Sequence, residues 1–206
     1  KHTFSEIENI FWRNSKLNFN NKLSLLKSLD EKPNKDWLKR INECEDEKVL
    51  KYFLKDFNKY KIKNYDKELK LLWECCQIPD FVKKNYGHHI EVVSKVFEFL
   101  RSSKGQITSR YMKEQLFHLN KLEGNVDSIS NRISNVRTWS YVSNKTNWVE
   151  NQDYWIERTK LLEDKLSDRL HEELTKSFID KRASILSRGL KQDNIFVTNI
   201  IDDQKV

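Results

Sequence analysis

Turn-forming residues are scarce in this chain, which has only four glycines and two prolines in 206 residues. Glycine and proline stop helices and shape tight turns, so a chain this poor in both is expected to be helical. Cysteine is also scarce. There are three, two of them adjacent, and an odd count of this kind does not make a disulfide framework and suits a reducing compartment. No apolar run approaches the roughly 20 residues that cross a bilayer, and the amino terminus lacks a signal-peptide pattern. The expectation is a soluble, cytoplasmic protein with no membrane partner. The glycines Gly87, Gly105, Gly124 and Gly189 are widely separated. A P-loop needs a glycine pair five positions apart, followed by Lys and Ser or Thr, so that backbone amides cradle phosphate. Neither that site nor a dinucleotide fingerprint can be built from these positions.

What is present is charge and aromatic mass. Charged residues make up 33% of the chain and aromatics 12%, with six tryptophans. That is too much apolar and aromatic material for a disordered chain, and the length allows one large domain or two small ones around a sizeable core. Lys plus Arg (38) exceeds Asp plus Glu (31), giving +7 and a pI near 9.1. Such a balance favours phosphate-bearing partners through counterion release, although a basic solvated surface alone would produce it too.

Apolar periodicity sets out the elements. Ile7, Ile10 and Phe11 sit at helical spacing, as do Leu23, Leu26 and Leu29, and Asp36-Trp37-Leu38 opens a further short segment after Pro33. Asp46 to Tyr60 places Val49, Leu50, Phe53, Leu54 and Phe57 on one helix face. Lys67 to Cys76 repeats the pattern, and Ile78-Pro79 ends that helix near Gln77. Later helices are expected from about His89 to Arg101, from a cap at Thr108 or Ser109 to Leu119, and from Gly124-Asn125 onward. From Asp153 the stripe of Leu162, Leu166, Leu170, Leu174 and Phe178 continues toward Arg188, with Gly189 as a natural stop. The β-branched run "NIFVTNI" (194–200) and the following "DDQ" read as a strand and turn. The expected class is all-α, an irregular multi-helix array with one long carboxy-terminal helix followed by a short terminal β segment. Residues 1–77 would form an amino-terminal helical subdomain and 78–190 a helical bundle. A tail at 191–206 would begin a truncated β element.

Cys75, Cys76, His88 and His89 invite a metal reading. Zinc draws its ligands from residues two to four apart that converge from a turn, whereas adjacent cysteines on a helix diverge by about 100°. Core packing is the simpler role for such a cysteine. C-x-x-C redox spacing is absent, and nothing orders a nucleophile, a base and an orienting acid. His171 beside Glu172 and Glu173 lacks the H-E-x-x-H spacing of metalloproteases. No catalytic residue, metal ligand or cofactor is therefore assigned within the chain.

The basic residues are more informative. Lys181, Arg182, Arg188 and Lys191 gather at the end of the long helix, where cations either complement the helix dipole or grip a phosphate backbone. Arg132 and Arg137 lie near Trp139 and Tyr141, and aromatics beside arginines can stack on single-stranded bases, though such aromatics also serve as core.

The segments "FWRNSKLNF", "LLWECCQIPDF", "GNVDSISNRISNVRTWSYVSN" and "ERTKLLEDKLSDRLHEELTKSFIDKRASIL" occur in that order between Phe11 and Leu190. Together they resemble the region behind the motor domains in bacterial helicases of the mitochondrial-degradosome (suppressor-of-Var) type, which are superfamily 2 RNA helicases. The resemblance implies a non-catalytic carboxy-terminal region of an ATP-dependent enzyme, with ATP and magnesium confined to the parent motor domains. It also implies single-stranded RNA or DNA, the motor domains of the same polypeptide and a nuclease as partners. Departures consist mainly of Lys and Asn where relatives favour Arg and Ala. The family pattern marks no catalytic residue here, so the candidate nucleic-acid contacts are the cations themselves: Arg132, Arg137, Arg158, Lys181, Arg182 and Arg188. A docking scaffold that never touches nucleic acid is the alternative.

Overall fold

The computed structural model describes residues 10–55, 57, 64–83, 86–102 and 104–203, with side chains described to residue 190. Among them the all-α expectation holds. Two three-residue strands and seven helices follow in the order β1 (Ile10–Trp12), α1 (Lys22–Leu29), β2 (Leu38–Arg40), α2 (Glu45–Lys55), α3 (Tyr65–Cys76), α4 (Tyr86–Arg101), α5 (Ser109–Phe117), α6 (Val126–Ser143) and α7 (Gln152–Asp203).

Local chemistry accounts for the helix starts. Asn21, Asn64, Thr108 and Asn125 each hold extended backbone and accept an amide hydrogen from the first turn of α1, α3, α5 and α6. Those bonds satisfy donors that a helix amino terminus leaves open. Gly124, just ahead of the α6 cap, adopts a φ of +127°. A side chain there would be strained, and its Cβ would press to 3.1 Å from the Ser128 Cβ.

Burial follows the expected faces. Val49, Leu50, Phe53, Leu54 and Phe57 turn inward from α2 and the residues after it, and Leu69, Leu72, Trp73, Cys75 and Cys76 turn inward from α3. One hydrophobic cluster extends from Leu25 on α1 to Leu166 on α7, across the junction at 77–78. The most extensive helix pairing is α6 along α7. Before α5, Ile107 exchanges backbone hydrogen bonds with Trp148 and Glu150 at 2.8 and 3.0 Å, so the entry to α5 is stitched to the loop ahead of α7.

Three expectations are corrected. Ile10 and Phe11 are in strand β1, not a helix, and pair in parallel with Leu38 and Lys39 of β2; the partner strand, distant in sequence, overrides a weak local period. Ile7 lies outside the described residues, as do residues 58–60 at the expected end of α2. Gly189 does not stop α7. Its Cβ position is open space, and one helical glycine costs only about 1 kcal/mol. The expected β segment at 194–200 is helix as well, since α7 runs through it to Asp203. A strand gains its stability from a neighbouring strand, and among the described residues none lies beside this stretch.

Candidate nucleic-acid interface

The six candidate cations fall into three places. Two belong to α6 and are engaged by the fold. Arg132 donates from Nη1 to the Lys121 carbonyl at 2.7 Å and also to the Glu123 carbonyl, securing the loop that leads into Gly124. Arg137 reaches across to α7, with Nε 2.8 Å from Glu163 Oε1. Their aromatic neighbours divide. Trp139 is in the core, edge-on to Tyr111, whereas half-buried Tyr141 lies under the Lys145 ammonium at 5.0 Å.

Three more lie on the far part of α7, where residues 181–188 are all exposed. The Arg182 guanidinium stacks 5.1 Å from the Phe178 ring, one helical turn back. Lys181 shares an open hollow of about 600 Å³ with Asp127, Glu173 and Asp180, carboxylates that temper its field. Arg188 is exposed next to Gly189.

Arg158 stands apart. At 1.5 Å of rise per residue it lies about 35 Å along α7 from Lys181, so the candidates do not form one patch. It lines a groove of about 530 Å³ between α5 and the start of α7. Two contacts tie α7 to this region: the Trp155 indole N–H donates to the Ser109 hydroxyl at the start of α5 at 3.2 Å, and Arg169, further along α7, donates to the Leu122 carbonyl in the loop after α5 at 3.2 Å. Buried Leu116, Trp155 and Leu162 form the floor. Arg110, Lys113 and Arg158 supply three cations to the lining, and no carboxylate among the described residues lines it. Arg110 does pair with Glu114 at 3.0 Å, but both side chains are more than half exposed, and such surface pairs hold a cation weakly. Phe117 and Tyr154 flank the groove at 69% and 57% exposure.

The sequence reading missed Arg110, Lys113, Phe117 and Tyr154. Their signal is helical spacing: Arg110, Lys113 and Phe117 share one face of α5, and Tyr154 and Arg158 share one face of α7. Neither stripe means much until the two helices are known to be neighbours.

The cysteine–histidine stretch is structural in character. Cys75 and Cys76 are buried, and burial pushes both thiols up, which disfavours the reactive thiolate. Burial lowers the pKa of His89 despite the opposing influence of Asp80. Among the described residues no group of three or more His, Cys, Asp or Glu side chains converges as metal ligands would, and no helix is long and apolar enough to cross a membrane. No protein-family model matches the chain, and no curated protein or solved structure matches it either.

Proposed function

We propose that this chain is a non-catalytic accessory region of an ATP-dependent RNA helicase, holding single-stranded nucleic acid and bracing the motor domains. The observation that carries the reading is the state of the α7 cations. Arg158, Lys181, Arg182 and Arg188 make no ion pair among the described residues, so their charge is available to phosphates along one helix. The motif resemblance points the same way. In this reading ATP and magnesium act in the motor domains, and a nuclease that receives the strand is the natural protein partner.

The test is a titration of single-stranded RNA at two salt concentrations. Each phosphate contact on a single strand adds about 0.7 to the slope of log affinity against log salt. Substituting Lys181→Gln, Arg182→Gln and Arg188→Gln together should lower that slope by about 2 and weaken binding. An unchanged slope removes these three as contacts.

A second reading, a protein-docking scaffold, is favoured by one feature of the same helix. Leu174, Phe178, Ile179, Ile185, Leu186 and Leu190 are all exposed on it. Failure of the chain to bind any RNA at low salt would select this reading.

A further inference from the structure

We propose that the groove between α5 and α7 is a single-strand site, in which Phe117 and Tyr154 stack on unpaired bases while Arg110, Lys113 and Arg158 take the phosphates between them. The site rests on the nucleic-acid reading above and shares Arg158 with it, but does not use the distal Lys181, Arg182 and Arg188.

Three observations fix the class of ligand. The first is charge: three cations and no carboxylate line the groove among the described residues, a complement to a polyanion. The second is the placing of the aromatics. Phe117 and Tyr154 leave 69% and 57% of their surface in solvent. Each makes one edge-on contact, Tyr154 with Trp155 at 4.9 Å and Phe117 with His118 at 5.5 Å, and burying the remaining surface would be favourable. Each shares a helix face with a cation, and in the register set by Trp155 and Ser109 the two rings stand at the ends of the groove with the three cations between them. A single strand offers base faces for the rings and intervening phosphates for the cations. The third is rigidity. Trp155 is buried and tied to Ser109, so the floor keeps the two helices in register before any ligand arrives.

The same features select against other occupants. A duplex keeps its base faces stacked inside, so it could use the cations but not the rings. An acidic peptide would satisfy the cations, yet carboxylates have no face to lay on Phe117 or Tyr154.

The experiment measures binding of the whole chain to a labelled single-stranded RNA of about 12 nucleotides, within the usual range for one single-strand site. Binding to the blunt duplex of that strand is measured in parallel. Phe117→Ala/Tyr154→Ala should weaken single-strand binding by roughly tenfold or more and leave duplex binding and the salt slope unchanged. Arg110→Gln/Lys113→Gln/Arg158→Gln should lower the single-strand salt slope by about 2. Phe117→Leu/Tyr154→Leu keeps apolar bulk but removes the π faces, and should behave like the alanine pair without disturbing the unfolding midpoint.

If both aromatic pairs bind the single strand as tightly as the unaltered chain, the groove assignment is wrong while the broader function stands. If the unaltered chain binds no RNA at low salt, the broader reading falls and takes the groove with it. Polyglutamate that competes as well as the single strand would make the groove an acidic-segment dock and overturn the proposal.

Discussion

Trp155 on α7 and Ser109 at the start of α5 are joined by an indole N–H to hydroxyl bond of 3.2 Å, and that contact sets the spacing of the groove walls. The same hydroxyl accepts from the Asn151 side chain at 3.2 Å, and the Ser109 backbone amide donates to the Glu150 carboxylate at 2.9 Å. Trp155→Phe keeps most of the buried ring and loses the bond, so it should cost about 1 kcal/mol. Trp155→Ala leaves a cavity and should cost about 3–5 kcal/mol. Urea unfolding distinguishes the two, and equal losses would mean that the ring volume contributes nothing.

Near the amino-terminal strand, Arg13 holds a bidentate grip on Asp46 at 2.8 and 3.1 Å, with its guanidinium 5.0 Å from the Trp73 ring. It also lies 3.3 Å from Glu47 Oε1, close enough for an ion pair but without the alignment of a hydrogen bond. Burial pushes the Glu47 carboxyl up, against the pull of Arg13 and Arg40. Arg13→Met leaves Asp46 without its cation and buried Glu47 with Arg40 alone, and should destabilise by about 3 kcal/mol. Adding Glu47→Gln removes the buried charge that lost half of its compensation and should recover part of that loss, a coupling that a double-mutant cycle in urea would measure.

His89 gives the fold an acid-side sensitivity. Its pKa in the folded chain is lowered from the ordinary 6.5, with burial as the leading cause; His88 pushes the same way, and Asp80 and Glu45 oppose. The unfolded chain therefore binds the proton more readily. This contribution to stability is complete above about pH 6.5 and declines as pH falls below it, until the depressed folded value is reached. His89→Gln should flatten that part of the stability–pH profile, whatever it does to absolute stability. Parallel profiles for the two proteins would assign the slope elsewhere.

The three thiols should react in two classes. Cys44 is half-buried, whereas Cys75 and Cys76 are fully buried at the end of α3. A thiol reagent should modify one cysteine in the native chain and the other two only after denaturation. Rapid modification of all three under native conditions would be incompatible with this packing.

The helices of the core were legible because they carry their own signal. Val49, Leu50, Phe53 and Leu54 mark a face by spacing alone, and Asn125 announces α6 through a side chain that caps it. The two short strands were not legible, since pairing Ile10–Trp12 with Leu38–Arg40 depends on residues far apart in sequence. The groove was hidden for the same reason. Arg158 was recognisable as a cation, but its neighbours Arg110 and Lys113 reach it only because Ile107 pairs with Val149 and draws α5 alongside α7. Conversely, Arg132 and Arg137 looked free in the sequence, whereas folding supplies each with an acceptor. Helix faces are local information; the destinations of long polar side chains are not.

The exposed run of α7 from Leu174 to Leu190 has a thermodynamic character of its own. With little burial to couple it to the core, its order follows a helix–coil equilibrium, in which each residue contributes its own propagation weight and nucleation is costly. Heating should erode this stretch gradually, ahead of the shared melting of the body, much as an isolated peptide loses helicity. In that regime Gly189 is the weakest link. Replacing it with alanine, where the backbone has open space around it, would add about 1 kcal/mol of local helix stability while leaving the melting of the body unchanged.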